Sequence, residues 1–146
     1  MSYRILLFDD DYVSLEPLKE ALEDCGYTVV LGAGECLLEQ LASERFDLIC
    51  VDFMIHPQSP AREGEGVVAN VHYPGVGWQE TGLEFLRRLR RGEYAGADKR
   101  GTPPTVPAII LSATADPDAQ YDAQAIFEKP FDLIEVVETL DSLLQG

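Results

Sequence analysis

The sequence predicts an α/β domain in which a parallel sheet lies between two layers of helices. Three observations predict it. Short apolar runs recur along the 146 residues, among them ILLF, LICV, AIIL and AIFE; the first three are apolar at every position and the last at all but its final Glu128. That pattern suits strands covered on both faces. Between most of the runs, apolar residues return at helical spacing. Finally, polar residues sit where runs end: Asp9 and Asp10 after ILLF, Asp52 after LICV, Ser112 after AIIL, and Lys129 beside AIFE. In open α/β sheets, sites lie beyond the C-terminal ends of the strands.

Each element follows in order. Arg4–Phe8 is the first strand. Ser14 is suited to cap a helix with apolar positions Leu15, Leu18, Leu22 and Cys25. Pro17 is then expected in its first turn, where a missing N–H costs nothing. Gly26 ends that helix. Thr28–Leu31 is the second strand, and Glu35–Ser43 a helix with Leu37, Leu38 and Leu41 inward. Asp47–Val51 is the third strand. From Phe53 to Glu80 periodicity is lost among prolines and glycines, with Val67–Tyr73 a candidate added strand. Gly82–Arg91 is helical again, carrying Leu83, Leu86 and Leu89. A second irregular loop runs from Gly92 to Pro107. Ala108–Leu111 and Ala125–Glu128 are the fourth and fifth strands. The last helix starts at Asp132, which forms a capping box with Glu135.

The length implies one domain, residues 1–146, with an inserted loop at about 56–80. The formal net charge is −15, which makes nucleic acid and anionic membrane poor partners. No apolar stretch approaches a membrane span, and the N-terminus lacks the pattern of a signal peptide. A cytoplasmic location is expected. Cys25, Cys36 and Cys50 lie in apolar segments without metal-binding spacing, so buried free thiols are expected.

The strand-end residues carry the chemistry. Asp9, Asp10 and Asp52 would lie close together, and three carboxylates repel unless a cation intervenes. Oxygen ligands of this kind favour a hard ion such as Mg²⁺. A carboxylate is also a nucleophile toward phosphorus, giving an aspartyl phosphate. Such a transfer needs positioning and charge neutralisation. Lys129 supplies a fixed positive charge, and Ser112 can donate a hydrogen bond to a phosphoryl oxygen. His56 and His72 have no His or Cys cluster around them and read as loop residues. Tyr73 and Trp78 read as anchors of the loop, and Asp11 as a solvated residue or helix cap.

LLFDDD, DLICVDFM, IILSAT and FEKPFD, in this order, resemble the response-regulator receiver domains of two-component signalling. The resemblance covers most of the chain outside its two loops. It implies a flavodoxin-like (βα)5 doubly wound sheet with strand order 2-1-3-4-5. It implies that Asp52 accepts a phosphoryl group from a histidine kinase or histidine phosphotransfer protein. Asp10 and Asp52 would ligate Mg²⁺, with Asp9 assisting through water and Met54 adding its backbone carbonyl. Ser112 and Lys129 would hold the phosphoryl group and report it, and the Lys129–Pro130 bond is often cis. The chain is then expected to be a stand-alone, non-enzymatic receiver, a monomer or weak dimer. Its output would be protein contact or onward phosphotransfer.

The chain departs from that pattern in two places. Gly82 follows Asp52 by 30 positions, and structureless loops above ~12–15 residues are usually functional or disordered. The insertion is expected to cover Asp52 in part or to contact a partner. Lys129 follows Ser112 by only 17 positions, and Pro117 falls between them. The fourth helix is therefore expected to be short or absent. Ile126 stands where many receivers carry a switching aromatic. Two rival functions follow. One is a pseudo-receiver, binding partners without phosphorylation. The other draws on the DxDxV signature of haloacid-dehalogenase-type phosphatases, with Asp9 as nucleophile and Asp11 as acid/base. That reading lacks a further acidic motif after Lys129 and leaves Asp52 without a role.

Overall fold

The computed structural model of the chain describes residues 3–60, 66–116 and 118–145. Its strands are β1 (Arg4–Phe8), β2 (Thr28–Gly32), β3 (Leu48–Val51), β4 (Gln58–Pro60), β5 (Val67–Ala69), β6 (Ala108–Leu111) and β7 (Ala125–Phe127). Its α-helices are α1 (Tyr12–Asp24), α2 (Cys36–Ser43), α3 (Thr81–Arg90) and α4 (Leu133–Gln145). Five strands form one parallel sheet in the order β2-β1-β3-β6-β7. With β6 and β7 as the fourth and fifth strands of the sequence reading, this is the expected 2-1-3-4-5 order. β4 and β5 form a separate antiparallel pair inside the insertion.

The sheet separates two apolar layers because side chains alternate along each strand. Leu6, Phe8, Ile49, Val51 and Ile110 face Leu37 and Leu41 of α2 and Phe85, Leu86 and Leu89 of α3. Ile5, Leu7, Cys50, Ile109 and Leu111 face α1 and α4. Every position of β3 and β6 is buried, which is why those runs contain no polar residue.

Several ends differ from the sequence reading. α1 begins at Tyr12, and its cap is Asp11, whose side chain accepts from the Ser14 backbone N–H. Ser14 therefore lies inside the first turn. Pro17 falls in the second turn, still within an otherwise regular helix. Gly26 closes α1 as expected, at φ 95°, with Gly26 N donating to Glu23 O and Tyr27 N to Leu22 O. Asp132 caps α4 by accepting from Ile134 N and Glu135 N. Cys25 and Cys36 are exposed and only Cys50 is buried. The expectation of three buried thiols fails because Cys25 is the residue at which α1 stops. Cys36 opens α2 on its outer side.

The insertion packs against the core. Val71 and Tyr73 are buried in the α2–α3 layer. Val71 N donates to Ala33 O in the segment after β2. Tyr73 shares a 2.6 Å hydrogen bond with Tyr94, and the Arg88 guanidinium lies over its ring, so Tyr73 is the anchor expected of it. The second loop is tied down similarly. Arg90 donates to the carbonyls of Pro104, Val106 and Asp122.

Between β6 and β7 no helix occurs among the described residues. Tyr121 from this crossover packs edge-on against Phe53 at 5.1 Å. β7 is the edge strand, and all three of its residues are only partly buried.

α3 starts against the end of β3. Gly82 N donates to Phe53 O, and a Cβ on Gly82 would overlap the Asp52 carbonyl oxygen. Gly82→Ala is accordingly expected to destabilise the protein by about 2 kcal/mol or more in urea unfolding, because backbone must move to admit the methyl. A change within about 0.5 kcal/mol would show that this contact is soft.

Candidate functional site

The ladder of the parallel sheet runs on past the strand ends, and this places the site. Asp9 N donates to Gly32 O, Asp52 N to Phe8 O, and Ser112 N to Phe127 O. Each of these residues is held by its backbone on the neighbouring strand. Their side chains are left at one edge, where no further rung is needed.

The carboxylates of Asp9, Asp10 and Asp52 converge there, offering ligand oxygens within 4.8 Å of one another. Asp9 is 2% exposed and Asp52 7%. Lys129 reaches back from the residue after Glu128. Its Nζ lies 2.6 Å from Asp9 Oδ2 and 3.2 Å from Asp52 Oδ2. Asp9 Oδ1 also accepts from Asp11 N, and Asp52 Oδ1 from Met54 N. Asp10 is half-buried, and its Oδ2 accepts from His56 N at 3.0 Å. The Lys129–Pro130 bond is cis.

One ammonium cannot balance three carboxylates. Burial pushes the Asp9 carboxyl up to about 7, and the Asp52 charge adds to the rise although Lys129 opposes it. Burial also pulls down on Lys129, but Asp9 and Asp52 outweigh it and hold the ammonium above its ordinary range. A cluster of hard oxygen donors with surplus negative charge fits a divalent cation such as Mg²⁺.

The cleft above these groups has a volume of about 430 Å³ and is lined by Asp10, Asp52, Met54 and Lys129. His56, Gln58 and Ser59 line it from the insertion. The sequence reading thus has Asp9, Asp10, Asp52 and Lys129 in one cluster and Met54 on its rim. Ser112 lies at the same edge, next to Ala113 of the cleft wall, and bonds to none of the three carboxylates among the described contacts. It is fully buried at the end of β6, and its hydroxyl pairs with Thr114 Oγ1 at 3.2 Å and accepts from Thr114 N.

Three features of the site escaped the sequence. Thr114 engages Ser112, Gln58 and Ser59 contribute to the rim, and Asn70 braces the insertion. Thr114 lies two residues past Ser112, close to a strand end, a signal that could have marked it. Nothing in the pattern around Gln58 or Asn70 distinguishes them from other polar loop residues. His56 lies at the rim with its ring stacked on Trp78 at 4.3 Å, and it is outside the acidic cluster. Asp11, the acid/base of the phosphatase reading, is spent as the α1 cap, and its hydrogen bond with Ser14 lowers its pKa.

The raised Asp9 carboxyl has a measurable consequence. Between its ordinary 3.8 and about 7, the unfolded chain has released a proton that the folded chain keeps, so stability falls as pH rises through this window. Without added metal, the unfolding free energy of the wild type relative to Asp9→Asn is expected to decline from about pH 4 to about pH 7 and level off above. Parallel pH profiles for the two proteins in urea titrations would contradict the shift.

No protein-family model matches the sequence, and no curated protein does. The structure is similar to many solved ones. The receiver domain of the sensor histidine kinase PA1611 from Pseudomonas aeruginosa, solved with a magnesium ion in its active-site cleft, matches with a TM-score of 0.64 at 22% identity over 100% of both chains. The receiver domain of the Francisella response regulator 1452 matches with a TM-score of 0.66 at 20% identity, covering 99% of this chain and 98% of that one. A Burkholderia pseudomallei response regulator, solved with a phosphorylated aspartic acid and calcium, matches with a TM-score of 0.61 at 17% identity, covering 99% of this chain and 69% of that one. Similarity at these identities is similarity of fold: the chain has the fold of a response-regulator receiver domain.

Proposed function

We propose that this chain is a phospho-accepting receiver, in which Asp52 takes a phosphoryl group in the presence of Mg²⁺. The observation that carries this reading is the Lys129 ammonium bridging Asp9 and Asp52 within a cluster of three carboxylates. A salt bridge alone needs one carboxylate; the other two call for a further cation.

Asp9, Asp10 and Asp52, with the Met54 carbonyl, would hold Mg²⁺, which supplies the charge neutralisation that phosphoryl transfer requires. An Asp52 oxygen attacks the phosphorus of a phosphohistidine on a kinase or phosphotransfer protein. The P–N bond breaks, and the leaving imidazole takes up a proton. The β-edge fixes the nucleophile, since Met54 N already holds the other Asp52 oxygen. Lys129 turns from carboxylate to phosphoryl oxygen.

Phosphorylation adds nearly two negative charges and strong acceptors at this edge. Ser112 answers them by turning its one hydroxyl proton to a phosphoryl oxygen, and Thr114, bonded to that hydroxyl, shifts with it. That rearranges the start of the β6–β7 crossover, whose Tyr121 rests on Phe53, next to Asp52. The readout is a change in that loop, recognised by an output protein or followed by onward phosphotransfer. In this reading the chain is a signalling module rather than an enzyme. No helix among the described residues is long and apolar enough to cross a membrane, and we place the protein in the cytoplasm.

Incubation with Mg²⁺ and acetyl phosphate should add the mass of one phosphate to the wild type and none to Asp52→Asn. A wild type that stays unmodified under acetyl phosphate and phosphoramidate would favour a phosphorylation-independent binding module instead. Mg²⁺ should also raise the stability of the wild type, by about 1.4 kcal/mol at tenfold its dissociation constant. Asp10→Asn should lose most of that gain in thermal unfolding. Equal stabilisation of both proteins would remove Asp10 from the metal site.

A further inference from the structure

The insertion leaves the sheet beside Asp52, and part of it forms a wall of the acidic cleft. That wall is braced at both roots. Asn70, which is 2% exposed, donates from Nδ2 to the His56 carbonyl and to the Ser59 hydroxyl, and from its backbone N to Pro57 O. Ile55 N donates to Trp78 O, and His56 N to Asp10 Oδ2. Gln58 pairs with Ala69 in the short β4–β5 ladder. A solvated loop would need none of these ties. They hold the side chains that follow His56 at a constant place on the rim.

We propose that the Gln58 carboxamide positions the water that removes the phosphoryl group from Asp52, so that the inserted hairpin sets the lifetime of the phosphorylated state. This rests on the reading of Asp52 as the phospho-acceptor. In the step, the water oxygen bonds to phosphorus and the bond from phosphorus to the Asp52 oxygen breaks. The electron pair returns to the carboxylate, and both water protons leave with dihydrogen phosphate.

Attack in line places water on the side of the phosphorus away from the Asp52 oxygen. Phe8, Val51 and Leu111 at the strand ends are each 1% exposed, so water arrives through the mouth of the cleft. A positioning group there must accept from the water and donate to a phosphoryl oxygen at once. A carboxamide does both. The other groups of the rim are less suited. Asp10 and Asp11 are carboxylates that repel the phosphoryl group, and Met54 and Ala113 are apolar. Ser59 is 4% exposed, its hydroxyl turned into the wall toward Asn70, and the His56 ring is held flat against Trp78. Among the described residues of the rim Gln58 remains, an exposed neutral amide on a braced strand.

The test charges the full chain with acetyl phosphate and Mg²⁺, removes the donor, and follows loss of the phosphate by mass. Gln58→Ala should lengthen the half-life by roughly tenfold or more, with the charging rate, the Mg²⁺ dependence and the thermal midpoint unchanged. Gln79→Ala, an exposed amide that does not line the cleft, should leave the half-life as it is. A half-life that is unchanged in Gln58→Ala overturns the proposal. A shortened one also overturns it, and shows that the hairpin shields the phosphoryl group from water. A wild type that never gains phosphate overturns the acceptor reading, and this one with it.

Discussion

The ion pair of Lys129 with Asp9 and Asp52 is the constraint on which the rest of the site depends. Two carboxylates buried this deeply cost a great deal to keep ionised without a counter-charge. The sheet brings them together regardless, because the ladder rungs from Asp9 to Gly32 and from Asp52 to Phe8 leave no freedom in the register. Lys129 makes that convergence tolerable but does not cancel it. The site is left short of positive charge, and Asp9 holds its proton to about 7. A protein folded around such a deficit is poised to bind something that supplies it.

Much of this was legible in the sequence, and the reasons are physical. A strand buried on both faces has to be apolar throughout, so β3, β6 and the Ile5–Phe8 stretch of β1 announce themselves, and so does the polar residue after each. Lys129 was legible from the same logic. Helix ends were less so. Asp11 and Ser14 are both good caps, and the choice between them depends on the Asp11 side chain reaching the Ser14 N–H, which composition does not reveal. The exposure of Cys25 and Cys36 turns on which side of a helix end each one occupies. The β4–β5 pair was half seen: Val67–Ala69 has the residues of a strand, while Gln58–Pro60 has none of them. Its pairing is set by Asn70 and by the tie to Ala33, contacts remote in sequence from Gln58.

The two departures from the usual plan leave opposite marks. The insertion adds polar structure to the rim of the cleft and apolar anchors to the α2–α3 layer. The β6–β7 crossover removes cover. On the α2–α3 side a loop takes the place of a helix, as the short spacing from Ser112 to Lys129 leads one to expect, with Tyr121 and Ala123 packed against the layer only in part. Ile126, at the edge, is partly buried as well. Ser112 is fixed in a tight corner, yet the chain after it is lightly held. Small rearrangements at Thr114 therefore have little packing to work against.

The hydrogen bond from Gly82 to Phe53 bears on how such a chain can diverge. The polypeptide departs from the sheet at Phe53 and rejoins it one hydrogen bond away, so everything between hangs from a closed neck. Closing a longer loop costs only slowly increasing entropy. The span can grow or shrink over generations without disturbing the aspartate beside the neck. The single methyl that Gly82 lacks is a different matter, since it would press on that aspartate directly. Drift in length is thus cheap where the span is exposed and costly at Gly82 and at buried anchors such as Val71 and Tyr73, and a lineage could acquire a new wall for this cleft while its floor stayed unchanged.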